Sequence, residues 1–141
     1  MRRFATYVIA VTMLAGAVLS AQKVTTPEEL DKTMKAVGAA QGATGKAINS
    51  MAYADAAKSV AATKQLLMDA ENFWVANKKD DAVKMSKEVI ANLDKLAAIL
   101  AAPAPDQAAA LAALKGAGCG NCHGVYRAGE AGNFTIKPGS I

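Results

Sequence analysis

The sequence predicts an all-α fold, an antiparallel up-down four-helix bundle, and three observations predict it. Apolar residues recur at alternating four- and three-residue intervals over long segments, the period of an amphipathic helix, along most of the chain. Short polar or proline-containing breaks separate these segments. No stretch alternates apolar and polar residues in the way a half-buried strand requires. Helices of similar length joined by short connections pack most economically as antiparallel neighbours.

A chain of 141 residues holds one domain at most, and its opening reads as a leader. Arg2 and Arg3 precede an apolar run over residues 4–17, and small residues then offer cleavage after Ser20, with Val18 at the −3 place, or after Ala21. That is the layout of a secretory signal peptide. Residues 1–21 are therefore expected to be the signal peptide and residues 22–141 the folded domain. An uncleaved anchor is the rival reading, because the run approaches the length that spans a bilayer. The short apolar core and the small-residue end favour cleavage, after which no membrane association is expected. The leader holds two arginines and no acidic residue, so its removal lowers the formal charge from +4 to +2. Lysines are scattered along the helices, which marks solvated faces, and no nucleic-acid partner is expected.

The first helix has a strong start. Thr26 stands as N-cap, Pro27 occupies the first helical position, and Glu29 closes a capping box. Leu30, Met34 and Val37 form its apolar stripe, glycines follow (Gly38, Gly42, Gly45), and the helix ends near Ile48 or Asn49. Ser50 is expected to cap the second helix, whose stripe runs through Ala56, Val60, Thr63, Leu67, Ala70 and Trp74. After a polar break at residues 77–80, Asp80 or Asp81 is expected to cap the third. Its pattern is the cleanest in the chain: Ala82, Ser86, Val89, Leu93, Leu96 and Leu100. Spacing of this kind marks a helix packed nearly parallel or antiparallel to its neighbours. Two prolines, Pro103 and Pro105, stop it. The fourth helix is expected to start with Pro105 at its first position, to carry Leu111, Leu114, Gly118, Cys122 and His123 inward, and to end near Arg127, with an irregular tail beyond.

The fourth helix contains Cys119-Gly120-Asn121-Cys122-His123, the Cys-x-x-Cys-His sequence of c-type haem attachment. Two thiols at this spacing can each form a thioether to one vinyl group of a porphyrin, and the adjacent histidine can supply the proximal imidazole. Rival chemistries fare worse. A zinc site needs four ligands, and these are the chain's two cysteines and single histidine. A thioredoxin-like pair would open a helix within a βαβ unit, which the pattern lacks. At i, i+3, i+4 and i+7 of a continuous helix, Cys119, Cys122, His123 and Tyr126 would share one face. Haem attachment takes place beyond the bacterial inner membrane, so leader and motif together point to the periplasm. The helices bury mostly alanine, and a porphyrin between them would supply the missing apolar bulk.

With one histidine, the sixth iron position falls to methionine, a weaker ligand, water or nothing. Of Met34, Met51, Met68 and Met85, Met34 is the candidate because it lies within the apolar stripe of the first helix. Tyr126 is expected to pack on the haem. Arg127 could pair with a haem propionate or remain a solvated residue favoured by the helix dipole.

The form Cys-x-x-Cys-His-x-x-Tyr-Arg, from Cys119 to Arg127 on the last helix of a four-helix bundle, resembles the class II cytochromes c, the cytochrome c-prime family. Class I cytochromes c carry the motif near the N-terminus and a methionine ligand far downstream, whereas here only 18 residues follow His123 and none is methionine. The resemblance spans the whole mature chain and implies two branches. In the low-spin branch a first-helix methionine, matched by Met34, ligates iron, and the protein carries electrons. In the high-spin branch the iron stays five-coordinate and binds nitric oxide or carbon monoxide. Leu30 stands where a basic residue is often found, four positions before this methionine. The expected protein is a one-electron carrier with one covalent haem c, not an enzyme. Redox proteins and the haem-attachment machinery are its expected partners, and it acts as a monomer or homodimer.

Overall fold

The computed structural model describes residues 23–131 and 133–141, so the expected leader lies outside the described residues. Helical periodicity gives α1 (Pro27–Asn49), α2 (Tyr53–Ala76), α3 (Asp80–Leu100), α4 (Gln107–Gly116) and α5 (Gly120–Tyr126). Two short strands follow, β1 (Arg127–Ala128) and β2 (Thr135–Ile136). No helix among the described residues is long and apolar enough to cross a membrane.

Two buried clusters define the topology. One joins Ile48 near the end of α1 to Ala56 and Val60 near the start of α2, and Leu96 and Leu100 at the end of α3 to Ala110 of α4. The other joins Leu30 at the start of α1, Phe73 and Trp74 at the end of α2, Ala82 at the start of α3 and Tyr126 of α5. Each cluster pairs one helix's end with the next helix's beginning, so neighbours run antiparallel. Gly45 of α1 faces Leu114 of α4, and Gln107 Nε2 donates to the carbonyls of Ile48 (2.9 Å) and Asn49 (3.1 Å). Those two contacts close the ring between the first and last elements. The chain is an all-α helical bundle.

The α2 and α3 stripes appear where the spacing put them. Ala56, Val60, Thr63, Leu67, Ala70 and Trp74 are buried on α2, and Ala82, Ser86, Leu93, Leu96 and Leu100 on α3. Thr26 and Glu29 form the expected capping box, with Glu29 N donating to Thr26 Oγ1 and Thr26 N donating to Glu29 Oε2. The two backbone amides of Thr25 and Thr26 hold the Glu29 carboxyl below its ordinary pKa.

Several expected caps are corrected. Ser50 belongs to the end of α1, where its hydroxyl donates to the Lys46 and Ala47 carbonyls. Ala52 precedes α2 without a side-chain cap, and Lys79 rather than Asp80 or Asp81 precedes α3. Asp106, not Pro105, opens α4, accepting from Ala109 N at 2.8 Å. The α1–α2 and α2–α3 loops share one geometry. Met51 N and Ala52 N donate to the Ile48 and Ala47 carbonyls, and Lys78 N and Lys79 N donate to those of Val75 and Trp74. This is the Schellman arrangement, which requires a left-handed residue just past the helix. Met51 (φ 55°) and Lys78 (φ 56°) take that place.

The tail is more ordered than expected. β1 and β2 pair antiparallel, with Arg127 opposite Ile136 and Ala128 opposite Thr135. Gly129, at φ 88°, makes the turn, and a Cβ there would meet the Asn133 carbonyl at 2.4 Å. Ile136 packs on the second cluster, and Lys137 N donates to the Tyr126 carbonyl at 2.8 Å.

Candidate cofactor-attachment site

Three glycines within five residues (Gly116, Gly118, Gly120) weaken helix propensity locally, by about 1 kcal/mol each relative to alanine. Here the expected fourth helix breaks into α4 and α5. A helix end leaves carbonyls without intrahelical partners, and two neighbouring helices supply donors. Asn92 Nδ2 of α3 donates to the Gly116 carbonyl at 3.0 Å, and Gln41 Nε2 of α1 donates to the Ala117 carbonyl at 3.2 Å. Ala117 between them is fully buried, whereas Gly118, expected to face inward, is exposed.

The break changes the motif's setting. Cys119 is the N-cap residue of α5 rather than a mid-helix residue, and its carbonyl accepts from His123 N at 3.1 Å, so the i, i+3, i+4 relation of Cys119 to Cys122 and His123 begins at the helix start. Cys119, Cys122 and His123 are all half-buried, and Tyr126 is buried. Both cysteines are free thiols. Gln41 Nε2 approaches Cys119 Sγ at 4.0 Å, and Cys122 packs against the aromatic cluster.

The local field keeps these groups neutral. Burial, with smaller contributions from Cys119 and Asp81, pushes the Cys122 thiol up to about 11. Burial also raises Cys119, opposed by the Gln41 amide and the Arg127 charge. His123 is lowered, first by burial and then by Arg127. Thiol–disulfide catalysts depress a cysteine pKa to obtain thiolate at neutral pH, the reverse of what is seen here. No three His, Cys, Asp or Glu side chains among the described residues are grouped to hold a metal ion, which leaves the zinc reading without its ligand set. Two protonated thiols and an unprotonated imidazole within five residues are groups that could hold a porphyrin, the thiols through thioethers and the imidazole as a metal ligand.

Tyr126 anchors the far end of α5. Its ring stacks on Trp74 at 4.7 Å between centroids, tilted by 49°, and Trp74 meets Phe73 edge-on at 5.1 Å. Its hydroxyl donates to Asp81 Oδ1 at 2.6 Å. Burial and then the Asp81 carboxylate push the Tyr126 phenol up to about 12, while the same hydrogen bond holds the Asp81 carboxyl below its ordinary value. Met34 is half-buried and packs against both clusters. Met51 and Met68, by contrast, are 66% and 45% exposed. Arg127 lies beyond the helix end, in β1, with its guanidinium 4.0 Å over the Phe134 ring.

A cavity of about 60 Å³ lies between α3 and the helix break and is lined by both cysteines. Ligand pockets run to about 300–1,000 Å³, so a macrocycle would have to displace side chains that meet there. Comparison with protein-family models, with curated proteins and with solved structures finds no match.

Sequence reasoning does not find Gln41 or Asn92, and it gives Asp81 a capping role rather than a bond to Tyr126. Gln41 lies between glycines, Asn92 is one place off the α3 stripe, and Asp81 directly follows the polar break. None carries a one-dimensional signal for its tertiary partner.

Proposed function

We propose that the chain is an exported mono-haem cytochrome of the class II type, acting as a one-electron carrier in the periplasm. The observation that carries this reading is the Cys119-x-x-Cys122-His123 motif, with free half-buried thiols, at the start of the last helix of a bundle. Bound there, haem c supplies a ferric–ferrous couple. Cys119 and Cys122 would hold it by thioethers, and His123 and Met34 of α1 are the residues that would ligate its iron. A thioether ligand favours the reduced state and raises the potential, as does an apolar surround. The packed Phe73, Trp74 and Tyr126 rings exclude water from that end of the bundle, and Asp81 holds the Tyr126 phenol in place. Arg127, whose charge acts on both Cys119 and His123, is a partner for a propionate. The reading needs no general base and no substrate pocket, so no enzymatic step is assigned. Haem-attachment proteins act on the chain during maturation, and redox proteins exchange electrons with it afterwards.

The test is covalent pigment. Protein exported in a cell able to mature c-type cytochromes is expected to keep one haem through acid–acetone extraction. Substituting both Cys119 and Cys122 with alanine should abolish that retention. Colourless wild-type protein from such a cell would refute the reading.

A further inference from the structure

Both cysteines of the motif line one void, and its other wall is α3. The cavity of about 60 Å³ that touches Cys119 and Cys122 is bounded opposite them by Met85, Glu88, Val89 and Asn92. On the α1 side, the Gln41 side chain occupies the space beside Cys119, bonded to the Ala117 carbonyl and in contact with the sulfur. The free volume beside the sulfurs therefore lies towards α3. Thioethers form at the edge of the macrocycle that carries the vinyl groups, and that edge must come to where the sulfurs have room.

Met85 and Val89 are one turn apart, so they lie on the same side of α3, and both are half-buried. Val89 packs against the main core cluster and is held in place. Met85 is unbranched and polarisable, able to withdraw or re-seat against a flat apolar edge. Asn92 is already engaged with the Gly116 carbonyl.

We propose that Met85 and Val89 of α3 form the binding wall for the thioether-bearing edge of the haem, so that Met34 and Met85 have separate roles, one at the iron and one at the edge. This rests on the haem reading above.

The experiment is methyl NMR of ferrous holoprotein labelled at the methionine methyl groups, with Met85→Leu and Val89→Ala variants for assignment. The mature chain has four methionines, and the structure sorts them. Met51 and Met68 are exposed and should resonate at ordinary positions. Met34 should show the large upfield displacement of an axial ligand. The proposal expects the Met85 and Val89 methyls to show a smaller ring-current displacement, one that the exposed Met51 and Met68 methyls lack. A Met85 methyl at the positions of Met51 and Met68 would overturn it. So would an axial-type shift on Met85, because it makes Met85 an iron ligand. Protein without covalent haem would instead fail the underlying reading, and the optical spectrum of the same sample separates that case.

Discussion

Replacing Lys78 by glycine should stabilise the bundle. Lys78 sits at φ 56° just past α2, in a loop whose two Schellman hydrogen bonds require the left-handed conformation. For a residue with a Cβ that conformation costs roughly 1–2 kcal/mol, and glycine adopts it without steric cost. The gain is offset by the greater freedom of glycine in the unfolded chain, about 0.5–1 kcal/mol. A net stabilisation of about 0.5–1 kcal/mol remains. The Lys78 side chain is exposed and makes no ion pair among the described contacts, so little is lost with it. Met51→Gly should behave alike, since Met51 has the same geometry (φ 55°) and is 66% exposed. The two sites lie at successive loops, and their effects should add. Urea unfolding read by helical circular dichroism gives the midpoint and slope, and the midpoint should rise at unchanged slope. Ala62→Gly, at an exposed position inside α2, is the control and should cost about 1 kcal/mol. If Lys78→Gly lowers the midpoint as the control does, Lys78 is not in the left-handed conformation and the account of the loops is wrong.

Two further outcomes follow from the packing and the charges. Leu93, 1% exposed within the larger cluster, should cost about 2–5 kcal/mol when cut to alanine, measured by the same unfolding assay; a loss under 1 kcal/mol would contradict the α3 register. Tyr126→Phe should flatten stability at both pH extremes. The folded Tyr126 pKa is raised from 10.0 to about 12, so its contribution is complete below pH 10 and is lost as pH rises towards 12. The folded Asp81 pKa is lowered from 3.8, chiefly by the Tyr126 hydroxyl, so its contribution is present above that value and is lost as pH falls through the lowered one. Wild-type and Tyr126→Phe profiles that run parallel across both windows would mean the hydrogen bond does not form in solution.

The long helices were legible because their signal is local. The α2 and α3 stripes needed only the four-three spacing, and the α1 start needed only Thr26, Pro27 and Glu29. The motif is equally local, five adjacent residues from Cys119 to His123, and the chemistry proposed for it rests on those residues. What escaped depended on partners far along the chain. Gly116, Gly118 and Gly120 were visible, yet whether a glycine-rich stretch stays helical depends on donors for the freed carbonyls. Those donors are Gln41 and Asn92, on α1 and α3. A serine between two helices can serve either one, and the Schellman geometry of the loop gives Ser50 to α1. The paired tail escaped because two-residue strands are too short to alternate, and Ile136 is placed by packing against Tyr126's cluster.

The central claim is that His123 and Met34 both hold the iron of a haem attached at Cys119 and Cys122. Optical spectra of the exported protein, oxidised and reduced, with and without carbon monoxide, test it most directly, with Met34→Ala beside the wild type. The account predicts sharp low-spin bands indifferent to the gas in the wild type, and a form that binds carbon monoxide in Met34→Ala. Broad high-spin bands that shift with carbon monoxide in the wild type would contradict it, leaving Met34 a packing residue and the protein a binder of nitric oxide or carbon monoxide.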